Sequence, residues 1–295
     1  MQESILSNVV LPLAIVIIMV ALGMTLTTAD FRRVFTQRKQ VLIGLLCQLV
    51  LLPILGFIVA GVFALPAVYA ISIILLAAAP GGATSNLIVH AADGDRALSV
   101  TLTAISNMLA WFTIPFLLGI AYTTYGSGTL DIDFPVADTM IQVAVLTVIP
   151  VIIGMAIRNW SPEFAEKTKR FSRIFATIFL FLVILALVIQ NWDVIVNDGP
   201  RFAPAFIVLN VAALVIGYIV PKLVKIDEVQ TVTIAIETGI QNSTVAITVA
   251  LTILNNNEMA VIPGLYAIWM YVTGFALAFL MARRNASNTV ESVTA

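Results

Sequence analysis

Long uncharged runs separated by short clusters of charge make up almost the whole chain. A helix needs about 20 apolar residues to cross a hydrocarbon core. Cutting the runs at Pro, Gly and charge predicts nine spans, at 6–28, 40–62, 67–91, 96–121, 138–158, 172–191, 202–221, 229–254 and 260–282. The uncharged stretch from 41 to 92 is divided at "GVFALPAV", where Gly61 and Pro66 favour a turn. The first run is too long for a signal peptide, and Glu3 stands where a basic region belongs.

Composition agrees with the pattern. The chain is 60% hydrophobic and 11% charged, with mean hydropathy +1.04, against roughly 25% charged residues in a soluble domain. The expected class is an all-α membrane protein, because only helices or closed barrels satisfy their own backbone in lipid. A single cysteine, Cys47, excludes an internal disulfide and a cysteine metal cluster. Net charge is −1 and says little, but its distribution says more. Arg32, Arg33, Arg38 and Lys39, then Arg96, then Arg158 to Arg173, then Lys222 and Lys225, then Arg283 and Arg284 fall on one side of a nine-span chain. The other side holds Arg201 alone and the acidic pair Asp131 and Asp133. Basic loops stay cytoplasmic, so the N-terminus is expected outside and the C-terminus in the cytoplasm of a bacterial inner membrane. The polar tail 285–295 is expected to be disordered.

Two spans carry internal breaks. The third contains "AAAPGGATSNLIVH", where Pro80 removes a backbone donor and Gly81 and Gly82 loosen the chain. The eighth contains "ETGIQNS", where Gly239 is followed by Asn242 and Ser243 at the offsets that separate Gly82 from Ser85 and Asn86. These spans lie five apart and run in opposite directions, so spans 1–4 and 6–9 form candidate inverted repeats. Interrupted helices at matching positions of inverted halves point to a transporter's binding site. Glycine and proline also simply kink membrane helices.

Glu237 is the only charge placed well inside a span, at a cost of about 2.5 kcal/mol or more. No Lys or Arg within the spans can pair with it, so it requires a cation, a proton or water. Oxygen-bearing side chains are available: Gln48, Ser85, Asn86, Gln241, and the pair Ser99 and Thr103, four apart on one helix face. This set lacks the His and Cys of a transition-metal site and the several carboxylates of a calcium site. It suits Na⁺ or H⁺. Each residue also has a plainer reading: Ser99 and Thr103 as backbone-bonded hydroxyls, Gln48 as a bond between helices, His90 and the four Trp as interfacial or packing groups.

"PGGATSN", "ALSVTLTAIS" and "IETGIQNS" together resemble the bile acid:sodium symporter family, and the likeness runs from "GMTLTTADF" to "VIPGLYAIW". The resemblance implies a nine-span bacterial member with inverted repeats and two crossed discontinuous helices. A core domain would occupy about 40–121 and 202–282, and a panel about 6–28 and 138–191. It implies two coupling sodium ions and no cofactor. The first would bind Ser85, Asn86, Ser99, Thr103 and Glu237. The second would bind Gln48, Glu237, Gln241 and the carbonyls of Thr238 and Ile240. In the substrate region Asn242 keeps the family's amide. Ala83 and Thr84 follow the double glycine, and Met270 and Tyr271 stand where bile-acid-binding relatives have His and Asn. These departures favour a small carboxylate such as pantoate, pyruvate or glycolate over a bile acid.

The expected function is therefore sodium-coupled symport of an organic anion by alternating access. The chain is read as a monomer in the lipid bilayer with no nucleic-acid partner. A proton-coupled carrier or exporter of organic anions, with Glu237 titrating, is the rival. An intramembrane enzyme lacks a catalytic pair in the spans, and a pure channel requires ion current without substrate.

Overall fold

A computed structural model describes residues 11–126 and 134–294. The first positions of the expected first span, Glu3, Asp131 and Asp133 lie outside the described residues. Twelve helices follow in order: α1 Leu11–Gly23, α2 Thr28–Thr36, α3 Arg38–Val62, α4 Ala67–Ala78, α5 Ala83–Ala91, α6 Arg96–Gly126, α7 Val136–Trp160, α8 Pro162–Gln190, α9 Trp192–Leu223, α10 Glu228–Gly239, α11 Ser243–Ile253 and α12 Asn257–Thr294. Among the described residues, α3, α6, α7, α9 and α12 are long and apolar enough to cross a membrane. Counting the bent pair of α1 and α2, which meet at 60°, makes six.

The outward faces read as lipid-facing. On α3, Leu42, Leu46, Val50, Ile54, Ile58 and Val62 are all exposed, a stripe repeating every four residues along one helix side. Such contiguous apolar surface is far larger than water tolerates. By contrast α4 is apolar all round and Tyr69 to Ala78 are buried throughout; Thr231 to Gly239 of α10 are likewise buried. These two short helices form the centre of the molecule.

The turn expected near Gly61 and Pro66 is present between α3 and α4, with Ala64 taking the left-handed conformation at φ 45°. Within α3, the turn Cys47–Leu51 is widened to a π-turn just before Pro53, and Gln48 sits in it. π-Turns often mark functional positions in helices. Residues 285–294, expected to be disordered, continue α12. No proline or glycine follows Gly274, so nothing in the sequence stops the helix.

Two glycines bring α1 and α7 into backbone contact. A Cβ at Gly23 would lie 2.1 Å from the Val151 carbonyl oxygen, and one at Gly154 would lie 2.1 Å from that of Val20. Close approach of this kind packs helices where no hydrophobic force drives them together. The Arg158 side chain donates to Met24 O at 2.8 Å and secures the end of α1. Gly154→Leu should therefore force the helices apart and lower stability by about 1–3 kcal/mol or more. Ile153→Leu, at the exposed neighbouring position, should leave the thermal unfolding midpoint in detergent unchanged.

Candidate functional site

Each interrupted span resolves into two helices joined by a few extended residues. Pro80 cannot continue the ladder of α4, and the backbone stays extended from Ala79 to Gly82. The second break runs from Ile240 to Asn242. The two breaks cross and pair: Gly81 and Gln241 form an antiparallel bridge, and the Asn242 N–H donates to Pro80 O at 2.8 Å. Backbone groups freed at the two breaks thus satisfy one another. The sequence register is corrected at this point. Gly82 caps α5 and Asn242 caps α11, so these two are counterparts, whereas Gly239 ends α10. Gly239 is needed for packing, since a Cβ there would lie 2.4 Å from the Leu214 side chain.

Glu237, in the last turn of α10, is fully buried beside the crossing. Ser99 and Thr103 reach it from one face of α6. The Ser99 hydroxyl lies 2.6 Å from Oε1, and that of Thr103 lies 3.1 Å from Oε2. Asn86 joins them from α5, its Oδ1 2.5 Å from the Ser99 hydroxyl. The Ser85 hydroxyl donates to Gly82 O at 2.8 Å, within the same cluster. Gly81 leaves the room for this convergence. A Cβ there would lie 2.6 Å from Glu237 Oε2 and 3.5 Å from the Ser85 and Thr103 hydroxyl oxygens.

This cluster contains an unbalanced set of oxygens. Ser99 has one hydroxyl proton but two acceptors, Asn86 Oδ1 and Glu237 Oε1, at hydrogen-bond distance. One of those close oxygen pairs lacks a proton between its members. A cation among them, a proton on Glu237, or a half-turn of the Asn86 amide that presents its Nδ2–H to Ser99 removes the repulsion.

On the other side, Gln48 Nε2 donates to the Glu237 carbonyl at 2.9 Å and to Oε2 at 3.3 Å, while its own Oε1 is buried without a partner. The Gln241 amide donates to Thr238 O at 2.5 Å. So Gln48 and Glu237 meet, and Gln241 and Thr238 meet, with Ile240 at the start of the break between them.

Four polar residues beyond the predicted site residues belong to the crossing, and one of them, Ser243, stands in the break motif. Asn107 donates to Gly81 O at 2.9 Å and to Thr103 O at 2.8 Å. Asn210 donates to Gly239 O at 2.8 Å, and the Tyr266 hydroxyl donates to the same oxygen at 2.6 Å. The Ser243 hydroxyl is buried without a partner. Asn107 was signalled by spacing, four residues beyond Thr103 on the same face. Asn210 was signalled as the one amide in the apolar run 202–220. Ser243 already belonged to the break motif "ETGIQNS", and Tyr266 had no such signal.

A cavity of about 450 Å³ adjoins the crossing. Ala83, Thr84, Asn242, Met270 and Tyr271 all line it, as do Asn86, Gln241, Ser243, His90 and Arg96. Tyr271 lies 3.3 Å from the Thr84 hydroxyl and stacks between Phe181 and Phe275. Asn242 Oδ1 accepts from the Val245 N–H at 3.3 Å and caps α11. His90 is exposed at the end of α5 and faces the cavity.

Broken helices crossing around a buried acid, within a shell of lipid-facing helices, define a membrane transport protein. The Sodium Bile acid symporter family matches residues 12–198, and the chain belongs to that family. A Bacillus subtilis (strain 168) protein, "Uncharacterized sodium-dependent transporter YocS", is 27% identical over 271 residues, 91% of this chain and 81% of that protein. The rice "Probable sodium/metabolite cotransporter BASS2, chloroplastic" is 29% identical over 268 residues, 91% of this chain but 62% of that longer protein. The human "Ileal sodium/bile acid cotransporter" is 26% identical over 284 residues, 94% of this chain and 79% of that protein. The chain is a transporter and not an enzyme.

The shared carbonyl of Gly239 gives a direct test of the crossing. Asn210→Ala and Tyr266→Phe should each lower stability by about 0.5–1.5 kcal/mol. Together they should cost more than their sum, because only the double variant leaves that buried oxygen without a donor. Thermal unfolding of the four proteins in a double-mutant cycle measures the coupling.

Proposed function

We propose that this chain is a sodium-coupled symporter of an organic anion working by alternating access, and that the anion is a small carboxylate rather than a bile acid. The supporting observation is the unbalanced oxygen cluster at Glu237, where Ser99 faces two acceptors with one proton. In this reading one Na⁺ binds Ser85, Asn86, Ser99, Thr103 and Glu237. A second binds Gln48, Glu237, Gln241 and the carbonyls of Thr238 and Ile240, which requires the Gln241 amide to release Thr238 O.

The proton-coupled reading has one observation in its favour, since a proton on Glu237 also relieves the Ser99 conflict. It leaves Gln48 Oε1 buried and unpartnered, whereas a cation beside Glu237 gives that oxygen a role. This favours sodium.

The nine-span topology follows if each broken pair, α4 with α5 and α10 with α11, is one crossing, and α1 and α8 are crossings too. The N-terminus is then outside and the C-terminus cytoplasmic. Core and panel domains take the boundaries given by the family resemblance. The cavity opens among the inner ends of α1, α5 and α8, so this is an inward-facing state. A carboxylate would sit at the start of α5, where the cap residue Gly82 offers no side chain to the free N–H groups. Thr84, Asn242 and Ser243 would complete its shell. A volume of about 450 Å³ lies in the lower part of the range of small-molecule sites, in keeping with a small acid. Na⁺ binding would fix the crossing and thereby order this shell, coupling ion to anion.

Replacing Na⁺ by choline should abolish organic-anion uptake into proteoliposomes. Uptake driven by a pH gradient alone in choline would establish the proton-coupled reading instead. Glu237→Gln should remove Na⁺-dependent thermal stabilisation of the purified protein. Gln48→Leu should weaken Na⁺ binding while leaving any proton-driven flux unchanged.

A further inference from the structure

The cavity has two chemically distinct ends. Neutral donors gather at the crossing: the start of α5, Thr84, Asn242 and Ser243. The mouth presents His90 from the end of α5 and Arg96 from the start of α6. Neither side chain has a hydrogen-bond or ion-pair partner among the described residues. No Asp or Glu is among the described residues lining the cavity. The nearest acid in the chain, Asp95, is committed elsewhere. Its Oδ1 caps α6 through the Ala97 and Leu98 N–H groups, and its Oδ2 accepts from the Gln230 amide. Asp93 lies in the same turn and is exposed outside the lining.

We propose that His90 and Arg96 form a second anion subsite, and that the transported substrate is a dianion, a short dicarboxylate whose two ends occupy the crossing and the mouth. This rests on the organic-anion reading above and narrows it. A guanidinium forms bidentate charge-assisted bonds to carboxylates. His90 offers an N–H donor in either protonation state. The seven steps from Ala83 to His90 rise about 10 Å along α5, a separation that suits a short dicarboxylate and not a long one.

A cation at a membrane protein's inner mouth also fits a general surface role, in which it attracts any anion equally. The two roles separate by comparing acids that differ only at their far end. Succinate, glutarate and adipate, each beside its half-amide, are titrated into the purified full-length protein in saturating Na⁺, with binding read by calorimetry and thermal shift. Wild type should bind the best diacid about 10-fold or more tighter than its half-amide, the scale of a charge-assisted bidentate pair. Arg96→Gln should remove that preference and leave half-amide affinity unchanged, and Arg96→Lys should restore part of it. Stabilisation by Na⁺ alone should be unchanged in both variants, which reports an intact ion site and fold.

Equal affinity for diacid and half-amide in wild type overturns the subsite. So does an equal loss for both ligands in Arg96→Gln, which is the surface role, and so does binding of half-amides alone. If no acid of either set binds while Na⁺ still stabilises the protein, the organic-anion reading of this cavity fails and the subsite with it. If Na⁺ itself has no effect but a diacid binds with the Arg96 dependence described, the subsite stands and sodium coupling falls.

Discussion

A carboxylate with no access to solvent, placed at the midpoint of the molecule, governs the rest of the structure. Desolvating Glu237 is unfavourable by several kcal/mol unless partners replace the lost water. Those partners come from three other elements: Gln48 on α3, Ser85 on α5, and Ser99 and Thr103 on α6, with Asn86 of α5 bonded in turn to Ser99. For all of them to converge, two helices must stop at membrane depth, and residue 81 must lack a side chain. The break in α4–α5 and the double glycine follow from what the acid requires.

Stopping two helices inside a membrane leaves backbone groups that lipid cannot satisfy. The crossing supplies much of the answer through the Gly81–Gln241 bridge and the bond from Asn242 to Pro80. Neighbouring helices supply more: Asn107 takes the Gly81 carbonyl, and Asn210 with Tyr266 takes that of Gly239. A fully satisfied buried polar network fixes one geometry, because every alternative leaves a group unpaired. Here several atoms of the network stay unpartnered, among them Gln48 Oε1, Asn107 Oδ1, Asn210 Oδ1 and the Ser243 hydroxyl. In the proposed cycle the coupling ion acts at the oxygens around Glu237 and Gln48.

The oxygen cluster at Glu237 and the cavity share a wall. Asn86 faces Ser99 and also lines the cavity, and Gln241 bonds the Thr238 carbonyl while lining it too. A change in ligation on one side therefore moves groups on the other by contact, without a long-range path. This is the physical content of coupling in the proposed transporter: two ligands that each bias the same pair of broken helices.

Hydropathy and the two interrupted motifs determined the helical class, the existence of the breaks and the buried acid with its hydroxyl and amide neighbours. These are legible because span length, Pro and Gly chemistry and the expense of a buried charge act locally, residue by residue. Ser99 and Thr103 could be paired from their spacing alone, and Asn107 extends the same face. Only the tertiary structure decided which residues of the two breaks face each other, pairing Gly82 with Asn242 rather than Gly239. It alone brought Tyr266 to the Gly239 carbonyl, left Gln48 Oε1 without a partner, and set His90 and Arg96 on one cavity whose described lining holds no acid. Those outcomes depend on how helices distant in sequence cross, and pattern along a single helix carries no information about the angle or depth at which another one meets it.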